Sequence, residues 1–128
     1  MKLILPKSFS KEMINYMLSQ LPYESVAFLL GKKEGDTFIV DEIVKVKNAS
    51  HSSVEFSVDP YDLYKVYSRN KEVVGIFHSH PGHAFPSEMD QFYMKLNPVP
   101  WLIASSITGE MKAYILKELP EEIDVILV

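Results

Sequence analysis

Apolar positions along the chain follow two different periods, which predicts helices alternating with strands. Near the N-terminus, apolar residues recur at spacings of three and four, as in an amphipathic helix packed on a sheet. This stripe consists of Phe9, Met13, Ile14, Met17, Leu18 and Leu21. We expect the helix to begin at Ser8 or Ser10, both favourable N-caps, and to end at Pro22.

Short apolar or alternating runs, bounded by Gly, Pro and charged residues, predict the strands. They lie at residues 2–6, 24–30, 37–46, 54–60, 73–77, 101–105, 112–116 and 123–128. The polar stretch 31–36 is predicted to be the turn of a hairpin. The last run is strongly apolar, and an exposed strand of this kind is a sheet edge that needs cover. We expect it to pack on this domain or on a second copy, which makes a homodimer one of two expectations.

Two further helices are predicted between these strands. One spans residues 60–69, with Asp59 as its cap and Pro60 at its first position. Its buried side is predicted to consist of Leu63, Tyr64, Val66 and Tyr67. The other helix spans residues 88–96 and is opened by Ser87. We therefore expect one domain, residues 1–128, in which helices pack against a mixed sheet, and the pattern alone supports either an α/β or an α+β class.

Composition restricts the partners and the kinds of site. The chain has 128 residues, of which 47% are hydrophobic and 23% charged, as in ordinary globular domains. A net charge of -4 argues against nucleic acid or an anionic membrane as the main partner. With no cysteine, disulfides, thiolate ligands and a cysteine nucleophile are excluded, so histidine and carboxylate must bind any metal. No run approaches the ~20 apolar residues of a membrane span, and we expect a cytoplasmic protein.

The candidate chemistry lies between His78 and Asp90, in the run HSHPGHAFPSEMD. His78 and His80 are two positions apart at the end of a strand, so they should project from the same face. Together with Asp90, in the first turn of the next helix, they make three of the four positions of a tetrahedral zinc site. A fourth position left to water is typical of catalytic zinc. Ser87 and Asp90 also resemble a capping box, and the two interpretations of Ser87 do not exclude each other.

HSHP followed by PSxxD resembles the signature of the JAMM, or MPN-plus, metalloproteases. Their pattern is a distant Glu, then HxHP, then SxxD, and the distant acid is found here as Glu24. The resemblance extends from Glu24 to about Leu116, and His80 and Ser87 are separated by one residue fewer than is common in that family. It implies a cytidine-deaminase-like α/β/α sandwich.

The resemblance also implies an activity. One zinc ion would be held by His78, His80 and Asp90, with Glu24 as general base and Ser87 donating to the oxyanion. The reaction implied is hydrolysis of the amide after the C-terminal Gly-Gly of a ubiquitin-like modifier protein. Desampylases and deubiquitinases, including those that act on small archaeal modifiers, are of this type.

Other interpretations of these residues stay open. Ser79 should point away from the two histidines and be structural, while His51 and His83 are expected to face solvent. Two alternatives come from different functional classes. One is a non-catalytic binding module of the same fold, and the other is a zinc hydrolase acting on a peptide or small molecule.

Overall fold

Residues 1–48 and 58–128 are described by the structure, a computed structural model. The strands are β1 (Lys2–Leu5), β2 (Val26–Glu34), β3 (Thr37–Val46), β4 (Glu72–His80), β5 (Trp101–Ser105), β6 (Met111–Leu116) and β7 (Pro120–Leu127). The helices are α1 (Lys7–Gln20), α2 (Pro60–Tyr67) and α3 (Glu88–Leu96). None of the helices in these two ranges is long and apolar enough to cross a membrane. His51 and most of the predicted strand 54–60 lie outside the described residues, although Val58 forms an isolated bridge with Asn48.

The strands form one mixed sheet whose two ends meet. Their order is β1-β3-β2-β4-β5-β6-β7, and β1 also pairs with β7, so the sheet closes into a barrel. The β1–β3, β1–β7 and β4–β5 pairs are parallel, and the others are antiparallel. The apolar terminal strand therefore has neighbours on both sides within its own chain. The first of the two expectations for this strand is confirmed, and a second copy is not needed to cover it.

Apolar side chains pack on both faces of the sheet. The first cluster contains side chains from each of the seven described strands and from α1. Its members include Leu3, Ala27, Phe38, Val74, Leu102, Ala113 and Ile123 from the strands, and Met13 and Met17 from the helix. The second cluster lies under α2 and α3, where Val66 and Met94 pack with Trp101. Because helices cover both faces of a mixed sheet, the predicted α/β fold class is confirmed.

The predicted start of α1 is wrong, whereas its predicted end is correct. The helix starts at Lys7, with Pro6 at the cap position and no side-chain cap, so neither Ser8 nor Ser10 caps it. It ends at Gln20, before Pro22, as a proline requires. Leu18 and Leu21 were predicted to be buried but are 52% and 48% exposed, respectively. Met13 and Met17, four residues apart, form the fully buried part of the stripe.

The α2 helix buries only part of the predicted side, since Val66 is buried and Leu63 packs against the second apolar cluster. Asp59 caps it by accepting from the Tyr61 N–H at 2.8 Å, as expected. Tyr64 and Tyr67, however, are exposed, and the buried residues are Asp62 and Val66. Asp62 occupies the inner face because its Oδ2 accepts the backbone N–H of Lys47 at the end of β3, at 3.0 Å.

The β2–β3 hairpin is longer than predicted. β2 begins at Val26, two residues after Glu24, and continues through the expected turn as far as Glu34. The turn itself is only Gly35 and Asp36, and Gly35 has φ +59, a conformation that favours glycine. Glu24 therefore lies just outside regular secondary structure, between α1 and β2.

Candidate functional site

The end of β4 carries the two histidines. His78 is opposite Val26 of β2 on one side and Ile103 of β5 on the other. The ring centroids of His78 and His80 are 5.6 Å apart, so the two imidazoles share one face as the strand period predicts. His78 is 1% exposed and stands edge-on to Trp101, at a centroid distance of 6.4 Å. Its ring is thus held within the core.

The first turn of α3 brings Asp90 to these rings. Asp90 and Ser87 form the predicted capping box: the Ser87 hydroxyl accepts the Asp90 N–H at 3.1 Å, and Asp90 Oδ2 accepts the Ser87 N–H at 2.9 Å. Asp90 Oδ1 lies 3.1 Å from His78 Nδ1, and Oδ2 lies 3.9 Å from His80 Nε2. The carboxylate that caps the helix therefore also faces both histidines.

Glu24 reaches the site from the opposite side. It is 3% exposed, and its Oε1 accepts a hydrogen bond from His78 Nε2 at 2.5 Å. Its backbone carbonyl accepts from the side-chain amide of Asn48 at 3.0 Å. The segment before β2, the end of β4 and the start of α3 thus bring together Glu24, His78, His80 and Asp90, residues spread over most of the sequence.

Burial and charge act against each other at this site. Burial disfavours a charged His78, but Asp90 and Glu24 outweigh it and raise the pKa of His78 to about 9. Burial and the charge of His78 lower the pKa of His80. Burial alone would raise the pKa of Asp90, yet its contacts with His78 and with the Ser87 N–H hold that pKa below the ordinary value. The carboxylate of Asp90 is therefore ionised at neutral pH.

The donor set fits zinc in its chemistry. Two imidazoles and a carboxylate, with an acid beside them, are the nitrogen and oxygen ligands of catalytic zinc sites. In residues 1–48 and 58–128, however, no group of three such side chains already stands at metal-ligand spacing. The imidazoles and carboxylates contact one another directly instead. Binding of a metal ion would have to exchange these contacts for metal–ligand bonds.

The loop from Pro81 to Pro86 contributes contacts that sequence reasoning missed. His80 Nε2 donates to the Phe85 carbonyl at 3.0 Å, and the Tyr114 hydroxyl donates to the Ala84 carbonyl at 2.6 Å. A carbonyl acceptor belongs to every residue, so nothing in the sequence could have marked these two. His83 is exposed, as expected.

Ser87 stands at the edge of the site as an exposed residue. Its hydroxyl accepts one hydrogen bond from the helix and keeps its own proton for donation. The cap and a donor role are therefore compatible in one side chain.

The comparisons with known proteins agree with this arrangement. Residues 6–117 match the family described as prokaryotic homologs of the JAB domain. The chain belongs to this family. It is 37% identical over 121 residues to a protein of Pyrococcus furiosus named desampylase, covering 91% of this chain and 82% of that one. It is also 34% identical over 68 residues to COP9 signalosome complex subunit 5 of Gibberella zeae, covering 47% of this chain and 20% of that larger protein.

Solved structures show the same fold. A protein of Desulfitobacterium hafniense superposes with a TM-score of 0.84 at 26% identity, covering 100% of this chain and 93% of its own. A JAB1/MPN domain protein of Archaeoglobus fulgidus superposes with a TM-score of 0.62 at 23% identity, covering 98% and 99% of the two chains. The family match and these structures confirm the JAMM/MPN resemblance and the fold class. The two curated relatives confirm the prediction that the chain is an enzyme, a metalloisopeptidase.

Proposed function

We propose that this JAB-family enzyme is a zinc-dependent isopeptidase that hydrolyses the amide after the C-terminal Gly-Gly of a ubiquitin-like modifier protein. The similarity to a desampylase over most of both chains supports this class of substrate. The observation that carries the proposal is that both nitrogens of His78 contact a carboxylate. Nε2 lies 2.5 Å from Glu24 Oε1, and Nδ1 lies 3.1 Å from Asp90 Oδ1. Two carboxylates about one imidazole supply both a metal ligand and a separate acid–base group.

His78, His80 and Asp90 are the residues that would hold the metal. Zinc bound there would act as a Lewis acid and lower the pKa of a water molecule for attack on the amide. Asp90 is suited to a ligand's role because its second oxygen is already fixed by the Ser87 N–H. His80 has a hydrogen-bond partner in the Phe85 carbonyl, which limits the rotation of its ring.

Glu24 is the general base in this proposal. Its carboxylate is buried beside His78, so it can take the proton of the attacking water and deliver it to the leaving nitrogen. The Ser87 hydroxyl would donate to the carbonyl oxygen of the scissile amide as negative charge develops there.

A Gly-Gly tail suits this site because it has no side chains. The histidines are at a strand end, flanked by the loop from Pro81 to Pro86, and an extended glycine pair can approach a buried centre closely. Every strand in the described ranges has two hydrogen-bonded neighbours, so we expect the tail to bind without joining the sheet as an added edge strand.

The test combines metal content with cleavage. We expect about one zinc ion per chain in the purified protein, with loss of zinc and activity in His80→Ala and in Asp90→Ala. His83→Ala, in the adjacent exposed loop, is the matched control and should keep both. The substrate is a modifier protein joined through its Gly-Gly to a lysine, compared with an unrelated peptide. Binding of the conjugate without cleavage would favour a binding module, and cleavage of the peptide alone would favour the broader hydrolase.

A further inference from the structure

The backbone of Glu24 is held by side chains from distant parts of the chain. Glu24 and Ser25 precede β2, so the regular ladder between β2 and β4 starts only at Val26 and His78. One further backbone bond joins the segment to β4, from the Ser79 N–H to the Ser25 carbonyl at 3.0 Å. Asn48 holds the Glu24 carbonyl from the other side. These two contacts hold the backbone from which the Glu24 carboxylate extends.

Ser79 makes two of the remaining contacts with its side chain. Its hydroxyl accepts the backbone N–H of Ser25 at 2.9 Å and shares a hydrogen bond with the Ser25 hydroxyl at 2.6 Å. Since Val26 is paired with His78, Ser25 stands directly across from Ser79 in the antiparallel register. One residue between the two histidines thus ties their strand to the residue next to Glu24.

These hydroxyls lie where the sheet is otherwise apolar. Ser25 and Ser79 are 1% and 2% exposed, and their neighbours on the same strands and the same face, Ala27 and Phe77, belong to the first apolar cluster. Alanine at both positions would fill nearly the same volume with no polar group to satisfy. Core packing alone gives no reason for serine here, whereas the contacts with the Ser25 backbone do.

We propose that Ser79 is a positioning residue: its hydroxyl fixes the Ser25 backbone, which directs the Glu24 carboxylate at His78. This inference rests on the proposed function, because it assigns Ser79 a role through the general base. Ser79 touches neither the substrate nor the metal in this scheme. Its side chain points to the face opposite the histidines, as the alternation of β4 requires.

The activity test is a double-mutant cycle. Ser79→Ala should lower kcat by about 10²-fold, the scale of a misplacement of roughly 1 Å, with KM and zinc content retained. In a Glu24→Gln background, Ser79→Ala should lower kcat hardly any further, because the carboxylate on which Ser79 acts is already absent. Equal losses in both backgrounds would show a general structural role and overturn the proposal.

Two further variants keep the test decisive. Ser105→Ala is the control, since Ser105 is an equally buried serine on β5 whose hydroxyl holds the turn at Ile107 and Thr108. It should destabilise the protein without changing kcat. If Ser79→Ala fails to fold, Ser25→Ala removes only the bond between hydroxyls, and its smaller loss of kcat should show the same dependence on Glu24. A kcat loss in Ser105→Ala equal to that in the serine pair would contradict the proposal.

Hydrogen exchange separates this inference from the proposed function. The Ser25 amide should exchange faster in Ser79→Ala than in the wild type, and its rate should be unchanged in Ser105→Ala. If the wild-type protein cleaves no Gly-Gly conjugate, the proposed function fails, and the exchange comparison still decides whether Ser79 holds the Glu24 segment. Unchanged exchange at Ser25 in Ser79→Ala would defeat the inference even in an active enzyme.

Discussion

Glu24 and Asp90 have the same functional group, and their surroundings differ in a way that suits the two roles proposed for them. Asp90 is fixed by the cap of α3, because one of its oxygens accepts the Ser87 N–H. Glu24 extends from an irregular segment that is held through Asn48 and Ser79. A metal ligand has to stay in place, whereas a general base has to accept a proton on one side and release it on another. The difference in anchoring supports the roles proposed for the two acids.

At Glu24, we predict that Glu24→Gln retains zinc and loses turnover. The amide has nearly the same size and can still hydrogen-bond, but it cannot accept a proton, so the rate should fall by ~10²–10⁴. The measurements are kcat on the Gly-Gly conjugate and metal content. Glu88→Gln, an exposed carboxylate in the first turn of α3, is the control and should turn over normally. Near-normal turnover in Glu24→Gln would exclude Glu24 as the base, and loss of zinc would make it a ligand.

At Ser87, two effects of one hydroxyl can be separated. Ser87→Ala should cost ~1 kcal/mol of unfolding free energy through the lost cap. It should also reduce turnover by ~10²–10³ through the lost donor, with zinc retained. Asp59→Ala removes the corresponding cap of α2, so it should show a similar stability loss with normal turnover. Denaturant unfolding and kcat are measured on both variants. Equal turnover in the two would show that Ser87 acts only as a helix cap and not as a donor to the substrate.

Among the elements, α3 shows which signals a sequence carries well. Its bounds and its capping box were predicted because Ser87 and Asp90 are three residues apart and interact with each other. The predicted start of β2 is wrong because the backbone there bonds to distant side chains. The Glu24 carbonyl accepts from Asn48, and the Ser25 N–H donates to Ser79. The motif was enough to name the candidate site residues, whereas the contacts that hold them depend on the register between distant strands.

The α2 helix gives a second example and a prediction. Its exposed tyrosines were expected to be buried, but Asp62 takes the inner face and accepts the Lys47 N–H. This backbone hydrogen bond, with the nearby Lys65, holds the pKa of Asp62 below its ordinary value although burial acts in the other direction. A carboxyl with a lowered folded-state pKa stabilises the fold above its unfolded pKa, and this contribution is lost as pH falls through the folded value.

Asp62→Asn should therefore lower Tm at neutral pH, and the difference from the wild type should shrink as the solution becomes acidic. Thermal unfolding over a series of pH values measures this. Asp41→Asn is the control: Asp41 forms an exposed ion pair with Lys71, which contributes little to stability, so its Tm should hardly change. A Tm difference at Asp62 that is the same at every pH would mean that its charge is not involved.

At the scale of the whole molecule, the first apolar cluster and the proposed metal site occupy different places. The first apolar cluster takes a side chain from every strand, and the site lies beyond it at the end of β4. A core of this extent should not depend on a metal ion as a zinc finger does. We predict that a chelator abolishes cleavage and leaves the far-ultraviolet circular dichroism spectrum unchanged. Readdition of zinc should restore activity; loss of the helical and strand signal on chelation would instead indicate structural zinc.

The parallel pairing of β1 with β7 has a consequence for synthesis on the ribosome. Lys2 is paired with Asp124 and Leu5 with Leu127, so β1 can complete its pairing only after β7 has been synthesised, more than 100 residues later. β1 can join β3 early, but its other side stays unpaired in the nascent chain until β7 has been synthesised. A nascent chain stalled before β7 should therefore expose the unpaired edge of β1 and self-associate.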